Sequence, residues 1–131
     1  VTLALREMKH KIALLLILIL LIACASFDKK TALEKHNQER QIRLASVNLG
    51  DGVSFSEAEI LSQEYFWRYV SGCGVTGKPI DKGDRWEIEM FVGYADILAD
   101  DRIQIEKSSG TISLKGSTTI KNPIEEWKNS P

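Results

Sequence analysis

The chain is poor in the residues that most enzyme chemistry requires. Its 131 residues include two cysteines and two histidines, at Cys24, Cys73, His10 and His36. Nucleophilic triads and most zinc sites need histidine or several cysteines, so this scarcity excludes most hydrolase and zinc readings. No glycine loop cradles phosphate: Gly72, Gly74 and Gly77 lack both the fingerprint spacing and the strand-to-helix setting. Basic residues are not in excess either. The 17 lysines and arginines face 18 acidic residues, and no basic cluster stands ready to neutralise phosphates, so a nucleic-acid partner is not expected. The sequence also lacks the roughly 18 consecutive apolar residues of a spanning helix. Its longest run, Ile12 to Ala23, is about a dozen long.

The acidic residues offer little more. Asp96, Asp100 and Asp101 carry oxygens suited to calcium, yet they miss the EF-hand spacing and its closing glutamate, and they read as a solvated loop. Glu87 and Glu89 share one strand face at two-residue spacing. Paired carboxylates do acid–base work, but outward glutamates on a half-exposed strand are commonplace. No catalytic residue, cofactor or metal is expected.

What is present begins with the apolar run. Signal-peptide cores are about 7–15 residues long and follow a short positive segment. Met8-Lys9-His10-Lys11 supplies that segment, and its charges favour the cytoplasmic side. Met8 is the expected start; Val1 to Glu7 reads as upstream sequence or a long first region. The run ends in Leu21-Ile22-Ala23-Cys24, which resembles the lipobox of bacterial lipoproteins. The resemblance implies that the Cys24 thiol is acylated and that the chain is cut before it. Membrane lipid is then the first partner, reached through two or three acyl chains at about 0.8 kcal/mol per buried methylene. Ala25 after the cysteine implies sorting to the outer membrane, if the cell has one. The alternatives are an uncleaved anchor, or an ordinary signal peptide with a coincidental cysteine.

Loss of residues 1–23 removes Arg6, Lys9, Lys11 and Glu7, leaving 14 basic and 17 acidic residues, a net charge of −3. Cys73 then has no partner in the chain. It sits in Ser71-Gly72-Cys73-Gly74 with no neighbouring base, so burial as a small hydrophobe is expected.

Four segments follow: a signal peptide over 1–23, a lipidated cysteine and polar tether over 24–50, a small domain over 51–121 and a tail over 122–131. The tether is read as a linker or loose helix. In the domain, Ser56-Glu57-Ala58-Glu59 matches a capping box, with Phe55 and Ile60 as its hydrophobic staple. A helix is expected from Glu57 to about Val70, ending at Gly72. Ala58, Leu61, Tyr65 and Tyr69 share one side of it, and Glu64 pairs with Arg68. Ile60 and Trp67 face the other way, covered by the tether or a loop, or offered to a partner. After the 77–84 loop the period becomes two. Trp86 to Val92, Arg102 to Glu106 and Thr111 to Lys115 read as strands, with Lys107-Ser108-Ser109-Gly110 a tight turn between the last two. Ser117 to Ile120 is a candidate further strand, and Asn122-Pro123 opens a tail with one helical turn carrying Trp127. The fold class expected is α+β, one main helix on an antiparallel sheet of three to four strands.

The Ser56-Glu57-Ala58 helix start, the tryptophan strand, and Ile103-Gln104-Ile105-Glu106-Lys107 followed by Gly110-Thr111-Ile112 are similar to PepSY-like and cystatin-like domains. The likeness covers about residues 53–116. It implies binding or inhibition in the cell envelope rather than catalysis, and no functional residue carries over. The expected role is a non-catalytic envelope lipoprotein that binds or inhibits a protein; the alternative is a structural or assembly accessory, and an enzyme stands third.

Overall fold

A computed structural model describes residues 1–93, 97–98, 101–114 and 119–130, the side chains of 23–28 and 97–98 excepted. The chain divides into two compact units, Val1–Arg40 and Gln41–Pro131.

The first unit is helical from Thr2 onward, within α1 (Thr2–Ala45). No glycine or proline occurs before Gly50, and the stretch after the apolar run is rich in Ala, Leu, Glu, Lys, Gln and Arg, all strong helix formers. Every side chain from Leu14 to Ile22 is 54–68% exposed, on all faces of the helix. Further along, Lys30 and Glu34 lie 3.9 Å apart at i,i+4 in full solvent, a pair worth little. Among the described residues no helix is long and apolar enough to cross a membrane.

The second unit begins on the last turn of α1, where Leu44 is buried, and continues through buried Val47. A 3-10 turn at Leu49–Asp51 follows, capped by the Asn48 side chain. Then comes α2 (Phe55–Tyr65), which runs on as a π-helical turn over Phe66–Val70. Its start differs from the sequence expectation. The N-cap is Ser54, not Ser56, and Glu57 closes the capping box. Two Ser-x-x-Glu frames overlap here, and the earlier one does more. Glu57 Oε1 also accepts the Asn48 N–H at 2.8 Å. The flanking staple positions then fall to Val53 and Ala58, both buried. Phe55 stays 43% exposed and meets the Trp86 ring edge-on at 5.9 Å.

Among the described residues seven short strands follow: β1 (Gly74–Thr76), β2 (Ile80–Asp81), β3 (Arg85–Ile88), β4 (Met90–Val92), β5 (Ile97–Leu98), β6 (Ile103–Glu106) and β7 (Ile112–Leu114). They form two antiparallel sheets, ordered β1-β4-β5 and β2-β3-β6-β7, where one sheet of three to four strands was expected. The cause is a break at Glu89. The expected strand Trp86–Val92 splits there into β3 and β4, each joining its own sheet. The alternation survives the break, for Ile88 and Met90 are both buried. α2 packs on β1, β3 and β6, and so serves both sheets. The fold class is α+β.

The β6–β7 turn forms where the glycine signalled it. Gly110 takes φ +70° and donates to the Glu106 carbonyl at 2.8 Å. Ile105 then pairs with Ile112, and Ile120 bridges the outer side of Ile112. Of the expected strand Ser117–Ile120, residues 117 and 118 lie outside the described residues. The last element is α3 (Pro123–Lys128), with Pro123 at its first turn. This is no loose tail. Pro123, Ile124 and Trp127 are buried, Trp127 to 1% exposure.

Candidate functional site

The residues singled out from sequence do not gather at one place. Cys24 lies on α1 with its side chain outside the described residues. Cys73 is exposed, contrary to the burial expected. The inward approach is made one residue later. A Cβ on Gly74, at φ +133°, would stand 2.2 Å from the Phe91 carbonyl oxygen and 2.8 Å from Phe66 Cζ. Only glycine fits there, so the chain turns inward after the thiol. Ile60 and Trp67 are half-buried and packed against the core, so neither is a bare apolar group.

The carboxylates are similarly occupied. Glu89 accepts from Arg102 at 2.6 Å, while Glu87 lies 3.6 Å from Arg85 Nε and accepts from Gln104. Asp96 and Asp100 lie outside the described residues. Among those described, no three His, Cys, Asp or Glu side chains gather as a metal would require.

The better candidate forms at the free edge of β1, which α2 caps with side chains in place of a strand. The Trp67 indole N–H donates to the Gly74 carbonyl at 3.4 Å. Gln63 Oε1 accepts both the Thr76 N–H at 3.0 Å and the Thr76 hydroxyl at 3.1 Å. Unpaired strand edges invite foreign strands, and this one is closed. Glu59, Gln63 and Trp67 recur every fourth residue, one stripe of the α2 helix and its π turn. Beside that stripe lies an open cleft of about 400 Å³, completed by Arg43 of α1 and by Thr76, Gly77 and Lys78. Gln63 Nε2 is buried with no hydrogen-bond partner among the described residues.

No known protein family, curated protein or solved structure significantly matches the chain.

The cleft's character therefore rests on its own residues. Two other depressions differ from it. One of about 580 Å³, beside Ser54 and Lys107, has two of its charged side chains, Glu57 and Lys107, engaged. There Glu57 is held by Asn48 and Ser54, and Lys107 reaches Asp81 at 2.6 Å while lying over the Trp86 ring. That Lys107 hydrogen bond holds the Asp81 carboxyl below its ordinary value. Another, of about 280 Å³, lies between Val47–Leu49 and α3. Of these three, among the described residues, the cleft at the β1 edge is the one that combines an indole wall with charged side chains the fold leaves unused. Sequence reasoning marked Trp67 but missed Arg43, Gln63 and Lys78. The four-residue stripe was legible; the approach of Arg43 and Lys78 to it, from elements on either side of α2, was not.

Proposed function

We propose that this chain is a lipid-anchored cell-envelope protein whose compact unit, Gln41–Pro131, binds another protein without catalysing a reaction. One observation carries the reading. A basic segment, an uncharged apolar run and Leu21-Ile22-Ala23-Cys24 follow one another in order, and the run's side chains are exposed on every face of α1. A helix apolar all round belongs in lipid or in a protein core. Acylation at Cys24 gives the protein a lasting hold on the bilayer once the run is removed. The likeness of residues 53–116 to PepSY-like and cystatin-like binding domains points to the same role for the unit.

The decisive experiment follows fatty-acid label into the protein. Wild type should incorporate labelled palmitate and sediment with membranes, and Cys24→Ser should lose the label and leave the membrane fraction. An unlabelled wild type, or a Cys24→Ser protein that stays membrane-bound and unchanged, refutes the anchor. Crosslinking in intact envelopes should then retrieve one defined protein; recovery of lipid alone refutes the binding role.

A further inference from the structure

The cleft at the β1 edge carries charge that the fold itself does not use. Of the four arginines in Gln41–Pro131, Arg68 holds Glu64 at 2.7 Å, Arg102 holds Glu89 at 2.6 Å and Arg85 lies 3.6 Å from Glu87. The side chains of Arg43 and Lys78 make no ion pair or hydrogen bond among the described residues. Both line the cleft, and Glu59 is its one carboxylate. Glu59 is likewise without a side-chain partner among the described residues. Gln63 is held in place through its oxygen alone, its amide nitrogen left unpaired. A buried amide in that state is destabilising, and folded proteins keep few of them.

Donors therefore outnumber acceptors around the Trp67 ring. Guanidinium and ammonium groups only donate, and Arg in particular matches a carboxylate with two parallel hydrogen bonds. The ligand that complements them brings negative charge and acceptor oxygens, together with an N–H for Glu59. A polyphosphate fits poorly. The cleft has its own carboxylate, and residues 41–131 hold 10 basic against 14 acidic residues, net −4. A peptide carrying one carboxylate satisfies both sets of groups.

We propose that the cleft receives a carboxylate-bearing peptide segment, its acidic side chain or free chain end held by Arg43 and Lys78 against the Trp67 indole. The inference rests on the protein-binding reading above and names the chemistry of the partner's docking segment. Its test uses the full chain in detergent micelles and reads the Trp67 indole N–H by NMR. Three probes separate the sources of charge: acetyl-Ala-Glu-Ala amide, acetyl-Ala-Ala-Ala with a free carboxylate, and acetyl-Ala-Gln-Ala amide as the neutral control. At least one acidic probe should shift the Trp67 resonance saturably, weakening with salt, and the neutral one should not. The first moving it alone identifies a side-chain acid, the second alone a chain end. Arg43→Gln with Lys78→Gln should weaken binding about tenfold or more. Lys82→Gln with Lys121→Gln, which removes equal charge elsewhere, should leave binding unchanged. Equal shifts from the neutral probe, no shift from either acid, or full affinity in the Arg43/Lys78 variant overturns the proposal. If envelope crosslinking still captures a protein in that variant as well as in wild type, the binding role stands and this site is wrong.

Discussion

At the scale of single residues, the start of α2 shows how one side chain settles between two equivalent signals. Ser54-x-x-Glu57 and Ser56-x-x-Glu59 satisfy the same local rule, so the sequence alone cannot choose. The choice falls to Glu57, which reaches Asn48 as well as Ser54. Ser54→Ala should therefore cost about 1 kcal/mol in urea unfolding, and Ser56→Ala about half of that or less. The Glu57 carboxyl also links stability to acid. Burial opposes its charge, but hydrogen bonds from Asn48 N–H and from the Ser54 hydroxyl and N–H outweigh that and hold it below the ordinary value. A depressed folded-state value means that the unfolded chain binds the proton more readily. The contribution is full above the ordinary carboxylate range, about pH 4–5, and is lost as pH falls through the folded value. Urea midpoints between about pH 6 and pH 3 should thus fall less steeply for Glu57→Gln than for wild type. Equal slopes would show that the Glu57 carboxyl binds its proton alike in the folded and unfolded chain.

Among elements, the joint between the π turn and α3 explains why the C-terminal segment is part of the core. Trp127 donates its indole N–H to Tyr69 Oη at 3.1 Å, and Tyr69 donates to Glu126 at 2.7 Å. Arg68, one residue earlier, donates to the Ser130 carbonyl at 2.8 Å and lies over the Trp127 ring. The widened turn at Phe66–Val70 matters here, because it lets Phe66 be buried while Arg68 and Tyr69 both address α3. Burial, followed by the Glu126 hydrogen bond, raises the Tyr69 phenol above its ordinary value, so it remains a donor throughout the neutral range. Tyr69→Phe leaves the buried indole N–H without its acceptor and should cost about 1–3 kcal/mol in thermal unfolding. Adding Trp127→Phe should cost less than the two single losses summed, because the orphaned donor disappears with the indole. Additive losses would show that the two rings act separately.

Across the whole molecule, the boundary of the folded unit is the feature that composition misplaces. Residues 41–50 read as tether and residues 122–131 as tail, yet both deliver buried side chains, Leu44 and Val47 from one and Ile124 and Trp127 from the other. Leu44 and Val47 each contribute about 1.5–3 kcal/mol of burial, a large part of the stability of so small a unit. A fragment beginning at Gln41 should unfold cooperatively in urea. One beginning at Asp51 should unfold at a clearly lower midpoint or without a sharp transition. Equal midpoints would place the boundary at Asp51 after all.

What the residue order determines by itself is local. The apolar run and its cysteine are a contiguous string; the helix over α2 follows from its period, and the β6–β7 hairpin from alternation on either side of Gly110. Such signals act within about ten residues, where backbone geometry and side-chain period suffice. Tertiary structure decided the rest: which Ser-x-x-Glu frame caps α2, the break at Glu89 that makes two sheets, the exposure of Cys73, and the burial of Trp127. It also brought Arg43 and Lys78 to the Trp67 stripe. Each of these depends on contacts between distant segments, whose gains in burial and hydrogen bonding exceed the local preferences they override.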